Sequence, residues 1–262
     1  MTYTHGHHES VLRSHRWRTV ENSAAYVAPR FVPGALVLDV GCGPGTITMD
    51  IARRVKPGTV VGIDASAEVI IQAREAATGV GNVEFAPGDV YALDYADASF
   101  DVVHAHQLLQ HLPDPIGALR EMRRVCKPDG VVAARDGDYG AYRWYPDEPE
   151  IDRWLELYRS IARHNRGEPD AGRHLLAWAH AAGFSEVRPG ASVWCFATPE
   201  DHAWWGGLWA DRMTTSAISE QAEQEGFATR AELEATADGW RRWAGHPDAW
   251  FAVLHGEILG RP

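Results

Sequence analysis

The sequence predicts an α/β protein: a Rossmann-like, doubly wound, seven-stranded sheet with an N-terminal helical extension and a helical insertion before the last strand. Three observations predict it. Short apolar runs alternate with amphipathic stretches from residue 34 to 136, and such strand–helix alternation builds a parallel sheet with right-handed crossovers. The first run, Val37-Leu38-Asp39-Val40, ends in Gly41-Cys42-Gly43-Pro44-Gly45, a glycine turn in which backbone can approach a ligand that side chains would block. The next two runs lead into acidic residues, Asp64 and Asp89, on the carboxyl edge where ligands of open α/β sheets bind.

Each element follows in order. Val11, Trp17, Val20, Ala24 and Val27 recur at helical spacing until Pro29, so residues 1–30 read as a helical extension and as a lid over a bound cofactor. The extension carries Arg13, Arg16 and Arg18; a guanidinium there can pair bidentately with a ligand carboxylate, and Arg18 is the candidate. Residues 31–262 form the main domain. A helix spans about residues 46 to 54. Strand two, Thr59 to Ile63, ends at Asp64-Ala65, and strand three, Val83-Glu84-Phe85, leads to Gly88-Asp89-Val90. Strand four is Ser99 to His106, and strand five is Val131 to Ala134. A polar, aromatic loop over 136–144 follows, then helices over about 148–164 and 170–182, the second ended by Gly183. Residues 185–197 have room for strand six, and residues 249–259 form the last strand. Between them, a helical insertion at about 199–247 is opened by Thr198-Pro199 and contains a capping box at Thr229 and Glu232. The insertion reads as a substrate lid or as a dimerisation surface.

The residues around the glycine turn narrow the cofactor. A dinucleotide fingerprint places a small residue at the sixth position beside a pyrophosphate; here that position is Thr46, and Asp39 precedes the turn. An acid there suits a cationic ligand better than a pyrophosphate. Asp64 can take two ribose hydroxyls with one carboxylate, and Asp89 can accept from an adenine amino group. With His104-Ala105-His106, Leu112-Pro113-Asp114-Pro115 and Lys127-Pro128-Asp129-Gly130 in the same order, the series resembles the class I S-adenosylmethionine-dependent methyltransferases. The closest resemblance is to the ubiquinone/menaquinone-biosynthesis-like branch. It implies S-adenosyl-L-methionine as cofactor, with Gly41 and Gly43 at the methionine part and Asp39 among the cofactor-binding residues. It further implies Asp64 and Ala65 at the ribose, Asp89 and Val90 at the adenine, and His106 near the methyl group.

Composition removes several classes. A net charge of −11 and a pI near 5.6 repel phosphate polymers, so nucleic acid is not the expected partner. The segment after strand four also lacks the Asn/Asp-Pro-Pro-aromatic motif of DNA amino-methyltransferases. The chain has no apolar run of bilayer length and no signal-peptide core, so no membrane partner and a cytoplasmic location are expected. Three separated cysteines, Cys42, Cys126 and Cys195, suit free thiols. His5, His7 and His8 lack a carboxylate set with ligand spacing, and no metal is expected.

Methyl transfer from a sulfonium asks mainly for alignment and exclusion of water. Where the acceptor must lose a proton, His106 is the first candidate base by location, with His111 and Tyr142 behind it. Ten of the eleven tryptophans lie beyond residue 143. With Tyr139, Tyr142 and Trp144, they serve either as core or as walls for a flat aromatic acceptor. The expected function is therefore methyl transfer to a small molecule, an indole- or quinol-like natural product, on nitrogen or carbon, with a small-molecule substrate and a second copy of the chain, in a homodimer, as the partners considered. Quinone-biosynthesis C-methylation and a catalytically silent cofactor-binding regulator are the alternatives.

Overall fold

The computed structural model describes residues 17–262, which form two compact units. The sheet unit comprises residues 17–137, 171–192 and 255–262; the helical unit comprises 138–170 and 193–254. The sheet unit opens with a one-turn helix α1 (Val20–Ser23) and a 3-10 turn at Ala28–Arg30. It continues with β1 (Val37–Val40), α2 (Thr46–Val55), β2 (Val60–Asp64), α3 (Ala67–Ala76), β3 (Val83–Pro87) and β4 (Phe100–His106). A 3-10 turn at Leu109–His111, α4 (Pro115–Val125) and β5 (Cys126–Gly137) follow. Next come β6 (Arg143–Tyr145) and α5 (Pro149–His164) of the helical unit, then α6 (Leu175–Ala182) of the sheet unit. After β7 (Glu186–Phe196), α7 (Pro199–Thr215), α8 (Ala217–Gln224) and α9 (Arg230–Ala244) precede the last strand, β8 (Trp250–Arg261). β7 and β8 each contribute residues to both units.

In the sheet unit the strand order is β3-β2-β1-β4-β5-β8, with β7 beside β8. The first five strands are parallel and β8 runs antiparallel to β5. These are the seven strands expected. Parallel strands buried on both faces must be apolar on both, and successive residues here do point to opposite cores. Val37, Val60, Val102, Val131 and Ala133 pack with Ile47, Ile51 and Val55 of α2. Leu38, Val40, Val103, Val132 and Ala134 pack with Leu119 and Met122 of α4 and Leu175 and Ala179 of α6. The strand ends are thereby held in register, which brings the residues after β1, β2, β4 and β5 to one edge.

Two sequence readings differ from what is observed. The stretch from 136 to 144, read as loop, contains the end of β5 and the first two residues of β6; β5 is twelve residues long. The described part of the extension is also not one continuous helix. Asn22 bonds back to the Thr19 N–H and the Trp17 carbonyl, and α1 closes at Ala24. Short polar side chains compete in this way with helical backbone bonds. The rest of the extension, with His5, His7, His8, Arg13, Arg16 and the expected lid, lies outside the described residues.

The helical unit extends beyond the expected insertion, because 138–170 joins it. Its boundaries carry the expected caps: Thr198 with Asp201 and Pro199 in the first turn of α7, and Thr229 with Glu232 at α9. Its core is aromatic. Trp154 meets Trp209 edge to face with ring centroids 4.5 Å apart and Trp240 at 5.0 Å, while Tyr139 stacks on Tyr158 at 4.1 Å. Trp154, Trp209, Trp240 and Trp243 are fully buried, so these rings are the packing of the unit. The pairing of β6 with the first residues of β8 brings Trp144 against Phe251.

Candidate cofactor and active site

The glycine turn after β1 is shaped by left-handed backbone. Gly41, Gly43 and Gly45 have φ of +70°, +55° and +79°, a region in which a side chain is strained. A Cβ on Gly45 would lie 2.5 Å from Cζ of Phe85, and one on Gly41 would lie 2.9 Å from Cδ1 of Leu108. The turn is pinned to β2 by the N–H groups of Gly41 and Cys42, which donate to the Ile63 carbonyl. Gly45 then starts α2, whose N-terminus faces this turn.

Asp64 stands at the end of β2. Its Oδ2 accepts from the Gly43 N–H at 3.1 Å and its Oδ1 from the Ser66 N–H at 2.9 Å. A carboxylate has about four acceptor positions, so both oxygens keep capacity for a pair of hydroxyls. Ala65 is exposed next to it. Asp89 is exposed and accepts the Tyr91 N–H at 2.9 Å, while Val90 is buried. The glycine-rich turn, the carboxylate of Asp64 and the acid Asp89 could thus take the methionine, ribose and adenine parts of S-adenosylmethionine.

Asp39 is differently engaged. Its Oδ2 accepts from Thr48 Oγ1 at 2.6 Å, and its Oδ1 lies 2.7 Å from Nδ1 of the fully buried His104. Both oxygens are used inside the sheet unit, and Asp39 ties β1 to α2 and β4 beneath the glycine turn. Arg18 also has an internal partner, donating from Nη2 to Gln107 Oε1 at 2.5 Å.

The carboxyl ends of β4 and β5 hold a polar cluster. His106 is 5% exposed and its ring stacks on His255 of β8 at 6.1 Å. Burial, followed by the charge of Arg18, holds His106 well below the usual histidine range. Burial and Arg18 push His111 down to about 3. Gln107 has φ +50° and is clamped by Arg18 and by His255, whose Nε2 lies 2.8 Å from Gln107 Nε2. Asp136 is fully buried; its Oδ1 accepts the Gln110 N–H at 3.1 Å and its Oδ2 has no hydrogen-bond partner. Burial pushes this carboxyl up to about 7, against the opposing pull of the Gln110 and Leu109 N–H groups, Arg135 and Arg18. Tyr142 belongs to the helical unit, where it is 2% exposed and packs against Tyr139 at 4.5 Å. Of the site residues expected from sequence, the sheet edge therefore collects Gly41, Gly43, Asp64, Ala65, Asp89, Val90 and His106. Gln107, Gln110, Asp136 and His255 were missed. A signal was present only for Asp136, an acid directly after strand five.

A methyltransferase-domain family model matches residues 32–189, from the segment before β1 into β7. The chain belongs to the class I S-adenosylmethionine-dependent methyltransferases. An uncharacterised methyltransferase of Schizosaccharomyces pombe is 33% identical to it, over 98% of this chain and 95% of that protein. Demethylmenaquinone methyltransferase of Staphylococcus aureus is 40% identical over 100 residues, which cover 38% of this chain and 42% of that enzyme. The fold is also that of a phosphoethanolamine N-methyltransferase of Haemonchus contortus, at a TM-score of 0.56 and 18% identity over 91% of this chain and 52% of that one. The methyltransferase thus takes S-adenosylmethionine as its cofactor. Among its described residues no group of His, Cys, Asp and Glu could hold a metal ion, and no helix is long and apolar enough to cross a membrane.

Proposed function

We propose that this methyltransferase acts on a small-molecule acceptor that presents an N–H or O–H to the polar cluster at the ends of β4 and β5. The observation that carries the reading is the buried Asp136, whose second oxygen lacks a partner at the sheet edge. A buried carboxylate oxygen without a donor is costly, and a donor on the acceptor supplies the missing bond. When bound, S-adenosylmethionine supplies a methyl carbon on a positively charged sulfur. Gly41, Gly43, Asp64, Asp89 and Val90 bind and orient that group, and the neutral His106, with His255 against its ring, lines the acceptor side.

The aromatic acceptor expected from sequence rested on Tyr139, Tyr142, Trp144 and the insertion tryptophans. Tyr139 and Tyr142 are buried in the helical unit's own core with most of those tryptophans, and Trp144 packs against that core, which removes that motive. A quinol acceptor stays as the second reading, favoured by the match to demethylmenaquinone methyltransferase. The test is a labelled-methyl panel of indoles, quinols, phenols, aliphatic amines and carboxylates. Transfer to acceptors bearing N–H or O–H is expected. Cofactor binding without transfer to any of them would instead support a silent cofactor-binding regulator.

A further inference from the structure

We propose that Asp136, rather than a histidine, is the catalytic residue that takes the acceptor's proton as the methyl is transferred. The inference rests on the methyl-transfer reading above and names the residue that serves it.

The placement comes first. Leu108 touches Gly41 of the cofactor turn closely enough that a Cβ there would collide with it. Two residues on, Gln110 donates its N–H to Asp136 Oδ1, and its Oε1 accepts the Gly137 N–H at 3.1 Å. A short chain of contacts thus runs from the cofactor turn through the turn after β4 to the end of β5. Gln110 fixes one carboxylate oxygen; the other, Oδ2, is buried and has no hydrogen-bond partner. A general base needs that geometry before it needs a suitable acidity.

The surroundings also distinguish Asp136 from the histidines. Arg135 beside it on β5, His106 opposite Arg135 on β4, and His255 and Glu257 flanking its partner Gly256 on β8 all stand on the other face of the sheet, while Asp136 shares the face of Ala134. Arg18 of the N-terminal segment lowers its proton affinity through charge, and the Asp136 charge in turn helps to raise the Tyr26 phenol. Glu257 is occupied by Arg135 at 3.2 Å and by Ser192 at 2.5 Å. His106 and His111 are both held neutral with little affinity for a proton. Asp136, displaced towards neutrality by burial, is half ionised near pH 7, where a base is most effective.

The step balances. The acceptor's lone pair forms the bond to the methyl carbon, the carbon–sulfur pair stays on sulfur, and the acceptor's proton goes to Oδ2 of Asp136. Exchange with solvent then restores the carboxylate.

Two readouts test it. In ligand-free protein carrying 13C-labelled aspartate, one carboxyl resonance should titrate near pH 7 and be absent from Asp136→Asn. In labelled-methyl assays with catechol, menadiol and tryptamine, Asp136→Asn should keep its affinity for S-adenosylmethionine by calorimetry. Its kcat should fall by about 100-fold or more, the scale of a lost general base. Asp136→Glu should recover part of the rate, and the rise of wild-type kcat through pH 7 should vanish in the Asn variant. A carboxyl titrating near 4, a kcat for Asp136→Asn within about threefold of wild type, or a wild type that binds cofactor but methylates none of these acceptors would each overturn the proposal. Failure of the wild type to bind S-adenosylmethionine, seen without any acceptor, would overturn the parent reading as well.

Discussion

Asp136→Asn should stabilise the protein in alkaline solution while it destroys activity. The folded state holds the Asp136 carboxyl at about 7, against 3.8 for an ordinary aspartate. Between those values the folded protein binds a proton that the unfolded chain has released, so stability falls as pH rises through this window. The displacement amounts to about 4 kcal/mol at pH 8 and about 1.6 kcal/mol at pH 5, at 1.36 kcal/mol per pKa unit. The side chain is fully buried, so solvent screening does not discount it. Asparagine keeps the volume and the acceptor for the Gln110 N–H and cannot ionise. Relative to wild type it should therefore gain roughly 2 to 3 kcal/mol between pH 5 and pH 8. Urea denaturation at the two pH values measures this. Far-UV circular dichroism is the better probe, because most tryptophans report on the helical unit. An advantage for Asp136→Asn that is the same at both pH values would refute the reasoning, since it would mean that Asp136 does not change its proton affinity on folding.

Three further outcomes are expected. Asp64→Ala should abolish S-adenosylmethionine binding in calorimetry with the melting temperature little changed, and unchanged affinity would remove Asp64 from the site. Gly45→Ala should lose both stability and cofactor affinity, because a methyl there strains the left-handed backbone and meets Phe85 at 2.5 Å; thermal denaturation with and without S-adenosylhomocysteine checks it. Trp154→Ala should cost about 3 to 5 kcal/mol through the cavity left in the aromatic core, as seen in denaturant midpoints.

The strand–helix alternation, the glycine turn and the acids after β2 and β3 were legible because each follows from local chemistry. Apolar runs buried on both faces need no partner to declare themselves, a left-handed turn needs glycine, and Thr198, Thr229 and Pro199 mark helix starts by the backbone groups they satisfy or do without. Proton affinity is another matter. His106 looked like a base in the chain because histidine titrates near neutrality in water; the fold buries it beside Arg18 and Arg135 and removes that property. Asp136 looked like the first residue of a loop, yet β5 carries on past it and buries it, raising the carboxyl to the range histidine has vacated. Asp39, next to the turn in sequence, is drawn to Thr48 and His104 by pairing across β1, α2 and β4. The tryptophans were ambiguous for the same reason: sequence shows that large rings must be buried, and only tertiary packing decides what buries them. Backbone conformation is local and can be read along the chain, whereas desolvation and charge are sums over neighbours distant in sequence, and those neighbours exist only once the chain has folded.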